Sequence, residues 1–574
     1  MIGFLKRERV LILFVGLLFV FHWFSKDITN PYERPIAGDA QGYYSYLPAL
    51  LIYQDLDYTF IETEASQYYP PGGMKDFIFE VEGEKVNKTF PGVAVLYTPF
   101  FIMGHVSAWM FGFEPDGFSS IYQLWFDLGM WVYFFFGLVF LRILLEKFNF
   151  SSKIALFSTI LIGLGTNVFF YTVYDQSVTH IHSFFMINGM LLCLYLWQEQ
   201  KKLPWLIVAL SLLALIGITR PTNILVFGLI FFFFSKKSFF LDVFHVVFSK
   251  NWWKIAVFVI PILSIPFLLW KIQTGKWMVY SYGDEGFNFA DPHFFQFLFS
   301  YTKGWITYTP IVAVIIVPAL VILFKQKPKK ALIALGFYLF SIYVFSSWWC
   351  WYYGAGMSQR VMIDHYVLLA FFMATVLTYV WHKKIWRNVY LGVLISLAFL
   401  NVAQAYQIKN GIIQYGSTTQ EGYWDSFLVF QTRARVYPYD HWEFIEGKDL
   451  SSPSWQSEVN ETQWYSDMVF APMQDLTPGS KLILSFEAKA EVSVEHSRAV
   501  LQLKPKANPE EEVGFPYFIK EFTRQGEWVY MEFMFEPSIE YTDTLKVYFW
   551  NGDTGEKVKF KNVKYEHYYS EDYL

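Results

Sequence analysis

The chain has 574 residues, of which 54% are hydrophobic, 21% aromatic and only 17% charged. A water-soluble surface cannot be assembled from that mixture, so most of the chain must face lipid or its own apolar interior. A net charge of −5, with the basic residues in short clusters between apolar runs, excludes a nucleic-acid face. Two cysteines, Cys193 and Cys350, are too few for a disulfide framework.

The first apolar run follows Lys6, Arg7 and Arg9 and lacks a small-residue cleavage site, which reads as an uncleaved span with a cytoplasmic N-terminus. Further runs of spanning character lie near 119–145, 154–172, 182–198, 204–218, 223–235, 254–272, 305–324, 331–347, 363–381 and 388–403, about eleven in all. The segment 91–112 is apolar enough to cross, yet Gly92, Pro99, Gly104 and His105 interrupt it. If it does not cross, the basic clusters around Arg142, Lys201, Lys236, 325–330 and 382–387 all fall in the cytoplasm; if it does, all fall outside. We therefore read 91–112 as interfacial or re-entrant, within a first outer loop covering 25–118.

That parity gathers five other polar segments on the outer face: 25–118, 171–183, 219–223, 273–304 and 348–365. Ionisable residues at the edges of apolar spans are costly unless paired or facing a wet cavity, so their convergence marks a site. Asp39, in "AGDAQGYYSYLP", opens a helix and reads equally as a cap or as a functional acid. Tyr43 and Tyr44 behind it would stack on a sugar or anchor the helix at the interface, with anchoring favoured. Lys88 precedes the interfacial segment, where an ammonium would meet a lipid phosphate. His180 and His182 sit two apart, a spacing suited to an extended segment; with a carboxylate they could hold a divalent metal, although no third ligand is evident and substrate contact is preferred. Arg220, before Pro221, marks a helix break lined with polar backbone, while Arg360 and Asp364 are one turn apart and could pair. The guanidinium fork of arginine also suits phosphate oxygens.

From about 430 to 574 the pattern changes to charged residues and strand-like alternation, as in "KLILSFEAKAEV" and "EWVYMEFMFEP". This predicts a jelly-roll-like β-sandwich on the outer face, joined by a linker at 406–429. Trp455, Trp464, Trp528, Trp550 or the C-terminal tyrosines would serve there as carbohydrate-stacking surfaces or, more simply, as packing.

Taken in order, "GDAQGYY", "KTFPGVAVLYTPFF", "LGTNVFFY…SVTHIHSFF", "TRPTN" and "WW…GAGMSQR" resemble the GT-C membrane glycosyltransferases. The likeness covers roughly residues 1–405 and takes in protein O-mannosyltransferases, aminoarabinose transferases and other members of glycosyltransferase family 39. The resemblance implies an inverting transferase that takes a sugar from a polyprenyl-phosphate donor on the outer face of a bacterial inner membrane and delivers it to a hydroxyl of a glycan, lipid or protein. It further implies Asp39 as catalytic base, with Lys88, Arg360 and Arg220 at the donor phosphate. Tyr43, Tyr44, His180, His182 and Asp364 are the candidate substrate contacts. The family's Asp-Glu pair is "DA" here and its Lys-Pro-Pro is "KTFP", so neither subfamily's substrate transfers, and no metal ligand is assigned. A lipid-linked sugar translocator, or a scaffold for the outer β-domain, is the alternative reading. The near absence of charge within the spans favours a one-sided enzyme.

Overall fold

A computed structural model describes residues 2–26, 34–69, 77–81, 83–283, 285–414, 418–431, 435–436, 443–451 and 455–570 except 493, 509, 521, 524, 538 and 543. The chain divides into two compact units, residues 1–405 and 406–574.

The first unit is helical. Among the described residues eight helices are long and apolar enough to cross a membrane, and four shorter apolar helices accompany them. Each of the eleven expected runs falls on one of these, the additional one being Gly92–Phe111. Side chains such as Leu17, Phe24, Val257 and Phe399 stay exposed on these helices, as a surface solvated by lipid requires. Two charged pairs lie within the interior formed by the first of these helices. Glu8, fully buried, accepts from Arg142 at 2.7 Å and ties the helix Ile2–Ser25 to Ser120–Lys147. Nearer the other end of the same two helices, His22 meets Asp127 at 3.0 Å.

Gly92–Phe111 is a continuous helix that begins against the segment following the helix Leu203–Gly217. Its Gly92 N–H donates to the Ile218 carbonyl at 2.9 Å, and a Cβ on Gly92 would lie 2.2 Å from the Thr219 hydroxyl. Only glycine permits that approach. From there the helix runs antiparallel along the first half of Ser120–Lys147: Tyr133 donates to the Leu96 carbonyl, and Trp125 donates to Ser107 at 3.0 Å. At 1.5 Å per residue, Tyr133 is about 20 Å from the start of its helix and about 20 Å from its Lys147 end. The helix thus stays alongside the first half of Ser120–Lys147 and does not reach Lys147. Ile102, Val106, Trp109, Met110 and Phe111 remain exposed along it.

The rest of the first outer loop folds onto this helix around an aromatic core of Tyr44, Tyr46, Tyr58, Phe60, Tyr97, Phe101, Phe118 and Phe126. A hairpin of β1 (Ile78–Val81) and β2 (Glu84–Asn87) covers one side. A Cβ on Gly42 would come within 3 Å of Thr89 and Phe77, which explains the glycine in "AQGYY". The core fixes the short helix Asp39–Pro48 and so aims its first residue.

The second unit is a sandwich of β3 (Glu443–Asp449), β4 (Gln456–Val459), β5 (Val469–Pro472), β6 (Ser480–Ala490), β7 (Arg498–Leu503), β8 (Val513–Phe518), β9 (Val529–Phe535), β10 (Thr544–Trp550) and β11 (Val558–Tyr569). One sheet has the order β5-β10-β7-β8 and the other β3-β11-β6-β9, with β4 also paired to β11; every pairing is antiparallel. Alternate residues of β10 (Leu545, Val547, Phe549) and β11 (Val558, Phe560) point inward, and Phe549 stacks on Phe560 at 3.7 Å between the sheets. The stretch 406–429, expected as a linker, contains the helix Gln420–Ser426, with Gln407 donating to the Ser426 and Val429 carbonyls.

The aromatic residues proposed as stacking surfaces are mostly occupied. Trp455 packs on the core, Lys561 lies over Trp528 at 4.3 Å, and Trp550 is held between Tyr465 and the Arg498 guanidinium. Of the four, Trp464 is the one left broadly exposed, at 49%.

Candidate active site

The ends of several helices and the segments between them bring together residues that are far apart in sequence. Asp39 is the first residue of its helix, capped by Gly38 at a positive φ of 52°. Its carboxylate makes no cap: it accepts from Arg360 Nη2 at 2.9 Å, across 321 positions. The carboxylate is 44% exposed and the guanidinium 18%, so the acid opens to solvent while the cation is held from behind. Placement at a helix N-terminus favours the charged carboxylate further.

Arg360 ends the segment "GAGMSQR", whose backbone is strained: Tyr353, Gly354, Gly356 and Ser358 all have positive φ. Other segments hold it almost residue by residue. Lys303 donates to the Gly356 carbonyl, the Met357 N–H donates to Tyr171 Oη at 3.0 Å, and Thr309 donates to Ser358 Oγ at 2.9 Å. Asn167 then donates to the Gln359 carbonyl at 3.2 Å, with its own oxygen held by Tyr366 at 2.6 Å.

A second cluster adjoins the first. His180 begins the helix His180–Gln200, and its Nδ1 lies 2.9 Å from Asp364 Oδ1. Arg220 Nη1 lies 2.7 Å from the ring's Nε2 and 3.1 Å from Nδ1. Arginine only donates, so Nε2 supplies a lone pair and the proton sits on Nδ1 facing Asp364; the imidazole is neutral. Among the described residues Arg220 has no carboxylate partner, which leaves a cation with spare donors beside Asp39 and Arg360.

Tyr43 lies close enough to feel the charges of Asp39, Arg220 and Arg360; burial first, and Asp39 next, push its phenol pKa well up. Tyr282, from the 273–304 loop, is raised by burial in the same surroundings. Both phenols therefore remain protonated donors at neutral pH.

Four of the expected contacts meet a different arrangement. Tyr44 is 2% exposed, walled by Phe101, Phe118 and Phe126, and its hydroxyl donates to the Gly117 carbonyl. His182 parts from His180 because both lie on one helix, where residues two apart face different ways; it is buried against Tyr97 and Tyr133. Lys88 is committed to Glu285, with its ammonium over the Phe79 and Tyr282 rings. Arg360 and Asp364 do not pair with each other, since the backbone from 360 is a tight 3-10 turn that sends them to Asp39 and His180.

Tyr171, Asn167, Glu285 and Lys303 were not singled out from sequence. Glu285 and Lys303 carried a signal, being charges in a loop expected on the outer face, but nothing in their own neighbourhoods pointed to Lys88 or Gly356. Among the described residues no three His, Cys, Asp or Glu side chains are grouped to hold a metal ion.

No protein-family model and no curated protein matches the chain. Among solved structures, the arabinosyltransferase EmbB from Mycobacterium smegmatis aligns over 82% of this chain and 59% of its own at 10% identity, with a TM-score of 0.28. This chain therefore spans about three fifths of EmbB. An arabinose-bound GH51 α-L-arabinofuranosidase aligns over 22% of this chain and 23% of its own at 13% identity, with a TM-score of 0.15. Both scores fall below 0.5, so the functional reading rests on the geometry of this chain alone.

Proposed function

We propose that the chain is an integral membrane glycosyltransferase, moving a sugar from a polyprenyl-phosphate donor to a hydroxyl acceptor at the outer face of a bacterial inner membrane. One observation carries this reading: an exposed carboxylate, Asp39, held by Arg360 near Arg220, a cation with no carboxylate partner among the described residues. A base beside phosphate-ready guanidiniums is what such a transfer needs. The acceptor O–H gives its proton to Asp39 as its oxygen bonds to the anomeric carbon. The bond from that carbon to the phosphate oxygen breaks, its electron pair goes to the phosphate, and the sugar inverts. Arg220, together with Arg360, would neutralise the departing phosphate, a charge that grows only in the transition state. His180 and Asp364 aim Arg220, while the protonated hydroxyls of Tyr43 and Tyr282 are placed to donate to the sugar.

The direct test is Asp39→Asn, which keeps size and shape but cannot take a proton. In full-length protein reconstituted with a panel of polyprenyl-phosphate sugars, kcat should fall by about 10²- to 10⁴-fold. Donor affinity and thermal stability should stay near wild type. Full transfer by Asp39→Asn would remove Asp39 as the base.

A further inference from the structure

Lys303 is the most deeply placed cation near the site. It is 2% exposed, lies in the 273–304 loop, and donates to the Gly356 carbonyl. The charged or titratable groups around it are Arg360, Asp175 and Cys350. Burial first, and Arg360 next, lower its pKa to about 7, while Asp175 and Cys350 act the other way. Lys303 and Arg360 are neighbouring cations whose repulsion is offset in part by Asp39 and Asp175. Arg360 in turn is influenced by Asp39, Tyr171, Asp175 and Tyr43, so both cations belong to one electrostatic group.

The clamp acts on a segment in which Tyr353, Gly354, Gly356 and Ser358 all have positive φ. Gly356 has a φ of 128°, and a Cβ there would lie 2.4 Å from Tyr171 Oη. Four residues after the clamped carbonyl comes Arg360, whose guanidinium meets Asp39.

We propose that Lys303 is a positioning residue of the transfer site: by clamping the Gly356 carbonyl it holds the 353–360 turn, and so Arg360, where an anionic phosphate ester is received. This rests on the glycosyl-transfer reading above. Charged Lys303 both clamps the turn and adds positive potential behind Arg360. Neutral Lys303 keeps at most a weaker hydrogen bond. The charged form is full below pH 7 and is lost as pH rises through about 7. Affinity for the phosphate donor should therefore decline across the same interval.

The test uses full-length wild type, Lys303→Gln and Lys303→Arg in nanodiscs, with two readouts. The first is hydrogen exchange of the 351–362 peptide, which needs no chemistry. It should rise at least fivefold in Lys303→Gln and stay near wild type in Lys303→Arg. The second is the donor KM against pH. Wild type should show a rising KM above pH 7, Lys303→Gln a KM about tenfold higher with that limb flattened, and Lys303→Arg no limb at all. Unchanged exchange in Lys303→Gln, or a wild-type pH limb in it, would overturn the proposal. If exchange responds as expected but wild type transfers no sugar from any polyprenyl-phosphate donor, the clamp stands and the glycosyl-transfer reading falls.

Discussion

Among its described residues the helical unit contains two buried histidine-aspartate pairs of nearly equal length, His22–Asp127 at 3.0 Å and His180–Asp364 at 2.9 Å. They differ in what the second ring nitrogen meets. In the first pair it meets the Val173 carbonyl at 2.6 Å, an acceptor, so both ring contacts are closed by the chain itself. In the second it meets Arg220, a donor with capacity left over. The first pair is a tie between the helix Ile2–Ser25, the helix Ser120–Lys147 and the segment behind Val173. The second, on the reading proposed above, is a handle that holds a cation beside Tyr43, a residue that also feels Asp39. The same two side chains thus become scaffold or site according to whether their last partner ends the chain of hydrogen bonds or extends it.

The largest effect should come from breaking the tie. Asp127→Ala leaves a buried imidazole facing a carbonyl with its carboxylate gone, and removal of one member of a buried pair costs about 3–5 kcal/mol. Thermal unfolding in detergent should register that loss, while kcat of the protein that remains folded should match wild type. A fall in kcat without a fall in stability would place His22–Asp127 in the site and erase the distinction.

Next in size is the end of the handle. Arg220→Gln keeps a donor to His180 but removes the charge, and charge-assisted hydrogen bonds are worth about 1.5–3 kcal/mol. Donor KM should rise by roughly 10- to 100-fold with little change in melting temperature. Arg220→Lys should recover only part of this, because an ammonium cannot reach His180 and a phosphate in one fork. If Arg220→Gln instead melted the protein as Asp127→Ala does, the second pair would be scaffold too.

How much of this could be read before the fold was known differs by element. The spans were legible because lipid demands about 20 apolar residues in a row, and the parity of Arg142, Lys201 and Lys236 constrained Gly92–Phe111 without any structure. Strands β6, β7, β9, β10 and β11 were legible from alternation. The edge strands β5 and β8 were not, since Pro472 and Pro516 interrupt their pattern and only an edge tolerates them. Asp39, Arg220, Arg360 and His180 were legible as polar residues at span ends. Their partners were not, because pairing depends on backbone turns: the 3-10 turn at 360–365 separates Arg360 from Asp364, and the helix beginning at His180 separates His180 from His182. Tyr43, Tyr44 and Tyr46 were harder to tell apart, as such closely spaced tyrosines carry no mark of which the fold will bury, and it buries Tyr44 and Tyr46.

A smaller effect sharpens the comparison from the carboxylate side. Asp364→Asn retains an oxygen to accept from His180 Nδ1–H, whereas Asp364→Ala leaves that N–H without its partner and frees the ring to swing. Donor kcat/KM should drop about tenfold in Asp364→Ala, near 1.4 kcal/mol, and two- to threefold in Asp364→Asn. The tie predicts the reverse ordering of readouts, with Asp127→Asn visible in melting and silent in kinetics.

The smallest effect belongs to Lys88 and Glu285, a pair at the rim that is neither tie nor handle. Both side chains are about one-fifth to one-quarter exposed, and the ammonium also rests over Phe79 and Tyr282, so water screens part of the attraction and the rings supply part of the hold. Lys88→Ala and Glu285→Ala should each change stability by less than about 1 kcal/mol. Kinetics divides the two roles still open to Lys88. If it serves only Glu285, either single substitution and the double one alter donor KM by the same two- to threefold, because each merely loosens the loop that carries Tyr282. If Lys88 leaves Glu285 to meet the donor phosphate, Glu285→Ala should lower KM by freeing the ammonium, Lys88→Ala should raise it, and the double substitution should match Lys88→Ala. The structure favours the first pattern, since the pair and both rings must all be given up before Lys88 can reach Arg220.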